Sequence, residues 1–139
     1  MKNSFLTLII ITSLSVINVH AQCGGTATNT LKPTTIGIVI YSNDVETVWN
    51  AVRFANFSKN QGDTVSIFLL GKGVELDNLV KTDVNIKEQT DAFLGTGGSI
   101  LGCGTCLQSR KNNDPKVCKL SSMKDMYDMV RTNKIVMTF

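Results

Sequence analysis

The chain has 139 residues, a formal net charge of +3 and 42% hydrophobic residues, which suits one domain with a modest core. Its basic residues are scattered and do not form the basic stripe with interleaved aromatics that nucleic-acid binding needs. The one histidine, His20, lies in a predicted signal peptide, so the predicted mature chain lacks the Ser-His-Asp and Cys-His catalytic sets and histidine metal sites.

The first 21 residues are typical of a secretory signal peptide. Lys2 supplies the positive start, Leu6 to Ile11 the apolar centre, and Val19-His20-Ala21 the cleavage site. The apolar centre is too short for a spanning helix, and no other long apolar run follows. Acylation of Cys23 is disfavoured because Gln22 stands where such a site needs a small residue. We therefore expect an exported protein, periplasmic or secreted, that does not contact the membrane after the signal is removed.

Residues 22–34 are rich in Gly, Thr and Asn, and this composition predicts a flexible leader before a single domain over residues 35–139. Ile36–Tyr41 is almost continuously apolar, as in strands that are covered on both faces. The stretch 42–44, Ser-Asn-Asp, then supplies helix-capping side chains. Asn43 and Asp44 could instead reach the edge of the sheet that carries the cysteine motif described below, although capping is the favoured interpretation. We expect the first strand to end here and a helix to begin.

A long helix is predicted over Val45–Lys59, where apolar residues recur at helical spacing. Its apolar face is broad, because Trp49 and Phe57 add to the inner stripe. Such a face indicates a helix that is covered on more than one side, and a subunit contact is one way to cover it.

The second predicted strand is Thr64–Leu70, and it ends in Gly71-Lys72-Gly73. This stretch has neither a P-loop nor a GxGxxG pattern, so we interpret it as a plain strand exit rather than a phosphate cradle. A short helix or loop follows. The next helix is predicted over Ile86–Leu94, with Asn85 as its N-cap and Glu88 completing a capping box.

The third predicted strand, Ile100-Leu101, runs into Gly102-Cys103-Gly104-Thr105-Cys106. After an exposed loop, Ser121 or Ser122 caps a last helix, and Lys134–Phe139 forms a final strand. Four apolar side chains share one face of the last helix and are most simply core residues: Met123, Met126, Tyr127 and Val130. Strands that alternate with helices predict a small α/β domain with a mainly parallel sheet and helices on both faces.

The cysteines of the CxxC motif, Cys103 and Cys106, are the candidate catalytic residues. A strand that ends at Cys103 and turns into a helix places this thiol at the carboxyl edge of the sheet, where open α/β folds keep their chemistry. The amides of Gly104, Thr105 and Cys106 are then unpaired donors that stabilise negative charge. We therefore expect a low pKa and a thiolate at Cys103 near neutral pH, with Cys106 as the resolving thiol.

Other interpretations of the cysteines stay open at this stage. Cys103 and Cys106 could be small buried core residues, although the flanking glycines argue against this. The four cysteines allow three fully paired connectivities, and Cys118 could bridge to the site, pair with Cys23 or remain a free thiol in a loop. Zinc is disfavoured because the chain has no second CxxC pair. We expect no metal and no cofactor.

A group of cations follows the CxxC motif: Arg110, Lys111, Lys116, Lys119 and Lys124. Such a group could give the cysteines a positive field that favours a thiolate or an anionic sulfur compound. A solvated, lysine-rich surface explains most of these residues equally well.

Five short motifs give the stretch from Ile36 to Phe139 a family resemblance. They are Tyr41-Ser-Asn-Asp44, Val48-Trp-Asn-Ala-Val-Arg53, Phe68-Leu-Leu-Gly-Lys-Gly-Val74, Cys103-Gly-Thr-Cys-Leu-Gln-Ser-Arg110 and Ser122-Met-Lys-Asp125. In order and spacing, the chain resembles the DsrE/DsrF/TusD group of small sulfurtransferase-like proteins, with an exported leader in front. The resemblance implies a flavodoxin-like, three-layer α/β fold and assembly into homo-oligomers, either trimers or hexamers.

The resemblance also implies a sulfur relay through a cysteine persulfide. The acceptor cysteine of the family follows the third strand, which matches Cys103, and Arg110 falls where the family shows a basic residue. Cys106 is an addition relative to the TusD type. We expect Arg110 to bind the substrate together with the amides of Gly104 and Thr105. The implied partners are sulfur donor and acceptor proteins or small sulfane sulfur compounds.

Three functions compete for this chain. The favoured one is sulfur transfer, with sulfane sulfur held as a persulfide on Cys103. The second is an exported dithiol oxidoreductase that uses a Cys103–Cys106 disulfide, although thioredoxin-like proteins place CxxC after their first core strand. The third is a non-enzymatic, oligomeric binding module that has kept the fold. Whether a relay protein counts as an enzyme depends on turnover, which the sequence leaves open.

Overall fold

The computed structural model describes residues 31–139. The predicted signal peptide, Cys23 and residues 22–30 of the predicted leader lie outside the described residues. The strands are β1 (Thr35–Ile40), β2 (Thr64–Leu69), β3 (Ser99–Cys103), β4 (Lys119–Ser121) and β5 (Ile135–Thr138). The helices are α1 (Val45–Asn60), α2 (Leu76–Thr82), α3 (Val84–Gly95), α4 (Gly104–Ser109) and α5 (Met123–Thr132). A 3₁₀ turn at Gly71–Glu75, named the glycine turn below, precedes α2.

The five strands form one sheet in the order β4-β3-β2-β1-β5. Each neighbouring pair is parallel, which confirms the predicted α/β class. Within that class, the strand order departs from the 2-1-3-4-5 order of flavodoxin itself. The chain steps outward from β1 to β4 and then returns to the far side of β1 for its last strand.

The centre of the sheet is a row of isoleucines from three adjacent strands. Ile38 is in register with Ile67, and Ile67 with Ile100. All three are almost completely buried, and burial of each side chain stabilises the folded state by about 1.5–3 kcal/mol. The continuous apolar runs in β1 and β2 are explained by this central position, where both faces of the strand are covered.

Helices cover the sheet on both faces. Right-handed crossovers place the helices between β1 and β4 on one face and α5, which leads back toward β5, on the other. On the first face, α1 packs along α3 and against β1 and β2. On the second, α5 comes close to β1 at Gly37, where an added Cβ would lie 3.3 Å from Cγ of Met129. The small residue lets the helix approach the strand.

The predicted first helix is confirmed as α1. Asp44 is its N-cap, because its carboxylate accepts a hydrogen bond of 2.9 Å from the amide of Thr47. Val48 and Val52 are fully buried, whereas Phe57 is 61% exposed. None of the helices in residues 31–139 is long and apolar enough to cross a membrane.

Two local predictions need correction. The N-cap of α3 is Asp83 rather than Asn85, because the Asp83 carboxylate accepts from the amides of Asn85 and Ile86. The helix therefore begins two residues before the predicted Ile86. Strand β4 was not predicted, because it has only three residues and no buried side chain and is too short to show an alternating pattern.

The apolar face predicted for the last helix is core at only one of its four residues. Met126 is half-buried and packs against the core, whereas Met123, Tyr127 and Val130 are 60%, 62% and 42% exposed. The buried residue of α5 is Met129, which packs over Gly37. Helical spacing identified an apolar stripe correctly, but the helix is turned so that Met126 and Met129 face inward and the rest of the stripe faces outward.

Candidate functional site

Cys103 occupies the junction between a strand and a helix, as predicted. It is the last residue of β3 and the N-cap of α4. Its side chain is buried, with 6% relative exposure. The thiol therefore lies at the carboxyl edge of a parallel sheet, the usual position of chemistry in open α/β folds.

The glycines that flank Cys103 are required by close packing. A Cβ on Gly102 would lie 2.6 Å from Sγ of Cys118, and one on Gly104 would lie 3.2 Å from the carbonyl oxygen of Ser121. Ser121 also donates its hydroxyl to the Gly102 carbonyl, at 3.1 Å. These contacts bring β4 and the preceding loop against the motif, so that Cys103 is enclosed.

The pKa of Cys103 is raised, which corrects the predicted low value. Burial disfavours the thiolate, and a hydrogen bond with the neighbouring Cys106 thiol raises the pKa further. The amides of Cys106 and Thr105 act in the opposite direction, as expected for a helix N-terminus, but they are outweighed. The predicted donors are thus present, and desolvation exceeds their effect.

Cys106 lies beside Cys103 and is less enclosed. Both cysteines are free thiols, Cys103 buried and Cys106 partly buried. The Cys106 sulfur accepts a hydrogen bond from the backbone amide of Gly71, with a nitrogen–sulfur distance of 3.3 Å. A second backbone donor, from a segment 35 residues away in sequence, therefore completes the site.

The glycine turn reaches Cys106 because its backbone is unusual. Gly71 has φ +55°, a conformation that glycine adopts without strain. At Gly73 an added Cβ would lie 1.9 Å from the carbonyl oxygen of Ile40, so the turn lies directly on the end of β1. Thus Gly71-Lys72-Gly73 is more than the plain strand exit of our interpretation, since its first amide binds a site sulfur.

Arg110 is held by an ion pair at the end of α4. Its Nε lies 2.9 Å from Oε1 of Glu75, and its Nη1 donates to the Cys106 carbonyl at 3.1 Å. Asn43 donates its amide to the other Glu75 oxygen at 2.9 Å. These bonds, with Arg110 first and Asn43 second, hold the pKa of Glu75 below its usual range.

Two residues of this site, Gly71 and Glu75, were not predicted. Asn43 and Asp44 were expected chiefly as helix caps, with a position at the same edge of the sheet as Cys103 as the alternative. The cap is correct for Asp44, whereas Asn43 reaches across to Glu75 on the glycine turn. Its place directly after the first strand was the signal for this alternative.

The other two predicted binding residues, Thr105 and Gly104, are close to the thiols but differ in how they could contact a substrate. Thr105 is exposed and contributes its amide to Cys103. Gly104 lines a shallow cleft with Gln108, Asn112, Asn113 and Leu120. Neither residue presents a charged group, so both can contribute only backbone and shape to a substrate.

The expected positive field after the motif is smaller than the sequence suggests. Arg110, Lys116 and Lys124 pair with Glu75, Asp114 and Asp128, respectively. Within residues 31–139 no ion pair engages Lys111 or Lys119, and both are exposed. Ion pairing therefore removes most of the net charge that the run of cations implied.

Cys118 is a free thiol in the loop directly before β4, as one of the open interpretations expected, and it is buried. Its relative exposure is 9%, and its sulfur packs against Gly102. The adjoining loop is held by the buried carboxylate of Asp77, which accepts from the amides of Lys116, at 2.7 Å, and Val117, at 3.0 Å. Burial, followed by the charge of Asp77, raises the pKa of Cys118 to about 11. This thiol is therefore protonated at neutral pH.

Metal ligands do not cluster in the described part of the chain. Across residues 31–139 no group of three or more His, Cys, Asp or Glu side chains lies close enough together to hold a metal ion. The groups that the site presents are the two thiols, the surrounding amides and the Glu75–Arg110 pair.

Comparison with known proteins places the chain in a family. The model of the DsrE/DsrF-like family matches residues 35–139, whereas no curated protein matches the chain. The ychN protein from E. coli is similar in structure, with a TM-score of 0.66, 14% identity, and 78% of this chain and 100% of that chain covered. BT1422 from Bacteroides thetaiotaomicron, a conserved protein of unknown function, has a TM-score of 0.64, 19% identity, and coverage of 76% and 95%. The TM-scores of these two structures show a common fold, despite the low sequence identities. The family match extends over the whole of the sheet and its helices, so the chain belongs to the DsrE/DsrF-like family.

Proposed function

We propose that this protein is a sulfur-transfer protein that carries sulfane sulfur as a persulfide on Cys103. Family membership supports a function related to sulfur relay. The observation that carries the finer assignment is the position of Cys103: an enclosed thiol at the N-terminus of α4, with a second thiol in the same motif. The amides of Cys106 and Thr105 lower the pKa of this thiol, against the effect of burial. Enclosure protects a persulfide from oxidation, and the amides stabilise the anion that forms.

The loading step is a displacement at sulfur. The Cys103 thiolate attacks the outer sulfur of the donor, a sulfur–sulfur bond forms, and the donor's own sulfur–sulfur bond breaks with its electron pair leaving on the donor remnant. Unloading is the same reaction in reverse order, in which an acceptor thiolate takes the outer sulfur and Cys103 leaves as the thiolate. No oxidant or reductant is consumed in either step.

Cys106 provides a second route for discharge. Its thiolate can attack the inner sulfur of the persulfide, which forms a Cys103–Cys106 disulfide and releases hydrosulfide. The Gly71 amide donates to the Cys106 sulfur at 3.3 Å and so helps to hold this thiol in the site. The route reduces sulfane sulfur and leaves the protein oxidised by two electrons, so a further thiol must reduce the disulfide before the next cycle.

The presence of two free thiols in one CxxC motif also favours a second candidate function. Cys106 lies near enough to raise the pKa of Cys103, and a neighbouring dithiol of this kind can close into a disulfide. A dithiol oxidoreductase would use this pair without any sulfane sulfur. The two functions predict different products, a persulfide or a disulfide.

Intact mass spectrometry separates these functions. The reduced protein is exposed to polysulfide or thiosulfate, alongside Cys103→Ser, Cys106→Ser and, as a matched control, Cys118→Ser. We expect one added sulfur atom on the wild type, Cys106→Ser and Cys118→Ser, and none on Cys103→Ser. The adduct should last longer on Cys106→Ser because the resolving thiol is absent. Loss of two hydrogens with no sulfur adduct on any variant would instead support the dithiol oxidoreductase.

We also propose that the protein works outside the cytoplasm, on the strength of residues 1–21. Export is checked by fractionation of cells that express the full chain. The recovered protein should have the mass of a chain that begins at Gln22. Recovery of the uncleaved chain from the cytoplasm would contradict this proposal.

A further inference from the structure

Lys72 lies at the centre of the glycine turn, next to the candidate thiols. On one side, Gly71 donates its amide to the Cys106 sulfur at 3.3 Å. On the other, the backbone of Gly73 is packed against the Ile40 carbonyl and donates to Leu70 at 2.9 Å. Contacts on both sides therefore fix the backbone of Lys72 beside the site, while its side chain is exposed.

Lys111 and Lys119 are also exposed and form no ion pair within residues 31–139, but Lys72 directly follows the residue whose amide donates to a site sulfur. Arg110 is occupied by Glu75 and by the Cys106 carbonyl, so these two side chains are together neutral. Lys72 forms no ion pair with any residue from 31 to 139, yet it is near enough for its charge to act on the Glu75 carboxylate. The cluster of Glu75, Arg110 and Lys72 therefore has a net positive charge.

We propose that Lys72 selects an anionic sulfane sulfur donor, such as thiosulfate or a polysulfide anion, for this site. The inference rests on the proposed function and adds a substrate class to it. A thiolate and an anionic donor repel each other, and an unpaired cation beside the thiols reduces this repulsion. The expected donor-binding role thus moves from Arg110, which the structure shows to be ion-paired, to Lys72.

The chemistry with thiosulfate shows where the cation acts. The Cys103 thiolate attacks the sulfane sulfur, the persulfide anion forms, and sulfite leaves with the electron pair of the broken sulfur–sulfur bond. Both the incoming donor and the leaving group carry two negative charges. A neutral reagent that attacks the same thiol gains nothing from Lys72, so the effect depends on the charge of the reagent.

The test compares Lys72→Gln with Lys134→Gln. Lys134 is also exposed but precedes β5, at the amino end of the sheet, so the two variants lose the same charge at opposite edges. Sulfur loading from thiosulfate and from polysulfide is timed by mass spectrometry at low and at high salt. Alkylation by iodoacetamide, which is neutral, measures the reactivity of the thiols themselves.

We expect Lys72→Gln to load sulfur about five- to tenfold more slowly at low salt, with most of the difference lost at high salt. Its iodoacetamide rate, and both rates of Lys134→Gln, should match the wild type, and Lys72→Arg should restore loading. Equal loading by the wild type and Lys72→Gln would overturn the inference, as would an equal slowing with iodoacetamide. Absence of loading in the wild type would overturn the proposed function itself.

Discussion

At the scale of single residues, the environment of Cys103 determines how its reactivity depends on pH. Because burial and the Cys106 thiol raise its pKa above the ordinary value of 9.0, little thiolate is present at neutral pH. The rate of alkylation of Cys103 by iodoacetamide should therefore keep rising from about pH 6 to beyond pH 9. Peptide mapping of the modified protein measures this rate site by site.

Removal of the second thiol tests the cause of this shift. In Cys106→Ala the thiol hydrogen bond is lost, but the backbone amide that stabilises the Cys103 thiolate stays in place. The pKa of Cys103 should fall, and alkylation near neutral pH should be faster than in the wild type. A rate that levels off near pH 7 in the wild type would contradict the raised pKa.

The raised pKa of Cys118 predicts that the free energy of unfolding falls at alkaline pH. Its pKa is about 11 in the folded protein, against an ordinary value of 9.0. Because the folded state holds this proton more tightly, the contribution to stability is complete below pH 9 and is lost as pH rises through 11. The loss amounts to roughly 2–3 kcal/mol. Urea unfolding across this range should show it in the wild type and not in Cys118→Ala, while a parallel decline in both would contradict the assignment.

At the scale of elements, the glycine turn depends on a contact between two backbones. A Cβ at Gly73 would lie 1.9 Å from the Ile40 carbonyl oxygen, and neither backbone can move without disturbing β1. Gly73→Ala should destabilise the protein by at least about 3 kcal/mol. Gly95→Ala is the matched control, because a Cβ there meets nothing within 4 Å. It should be neutral or stabilise by up to about 1 kcal/mol. Urea unfolding measures both, and similar values for the two variants would contradict the packing argument.

The whole molecule leaves one apolar helix face without cover in the described residues. Met123, Tyr127 and Val130 are spaced to share one face of α5, and each is at least 42% exposed. The homo-oligomer implied by the family resemblance would bury this face against a second copy of the chain. We expect Tyr127→Asp and Val130→Asp to shift the protein to monomers, because a buried, unpaired carboxylate is costly.

Light scattering after size-exclusion chromatography measures this shift in mass. Val84→Asp is the matched control, since Val84 is 65% exposed on α3 and lies away from the α5 face. It should leave the mass unchanged. A wild-type protein that is monomeric at all concentrations would contradict an interface on α5.

The sequence by itself determined the fold class, the types of the elements other than β4, and the position of the CxxC motif. These follow from local patterns: the apolar run of β1, the helical spacing of α1, and a strand that ends in Gly-Cys. The family resemblance, which the family match confirms, rests on the same local motifs. Local backbone preferences and the period of apolar residues are written in neighbouring residues, so a single sequence reveals them.

Only the tertiary structure decided the electrostatics of the site and which apolar faces are buried. The Gly71–Cys106 hydrogen bond and the Arg110–Glu75 ion pair each join residues that are 35 positions apart. No local sequence pattern predicts such contacts. The pKa of Cys103 depends on a balance between burial and helix amides, and burial is known only once β4 and α4 are packed around the thiol. The stripe of α5 that meets the sheet was likewise decided by Gly37, a residue on a distant strand. Contacts between distant segments set dielectric environment and charge pairing, and these properties belong to the folded chain as a whole.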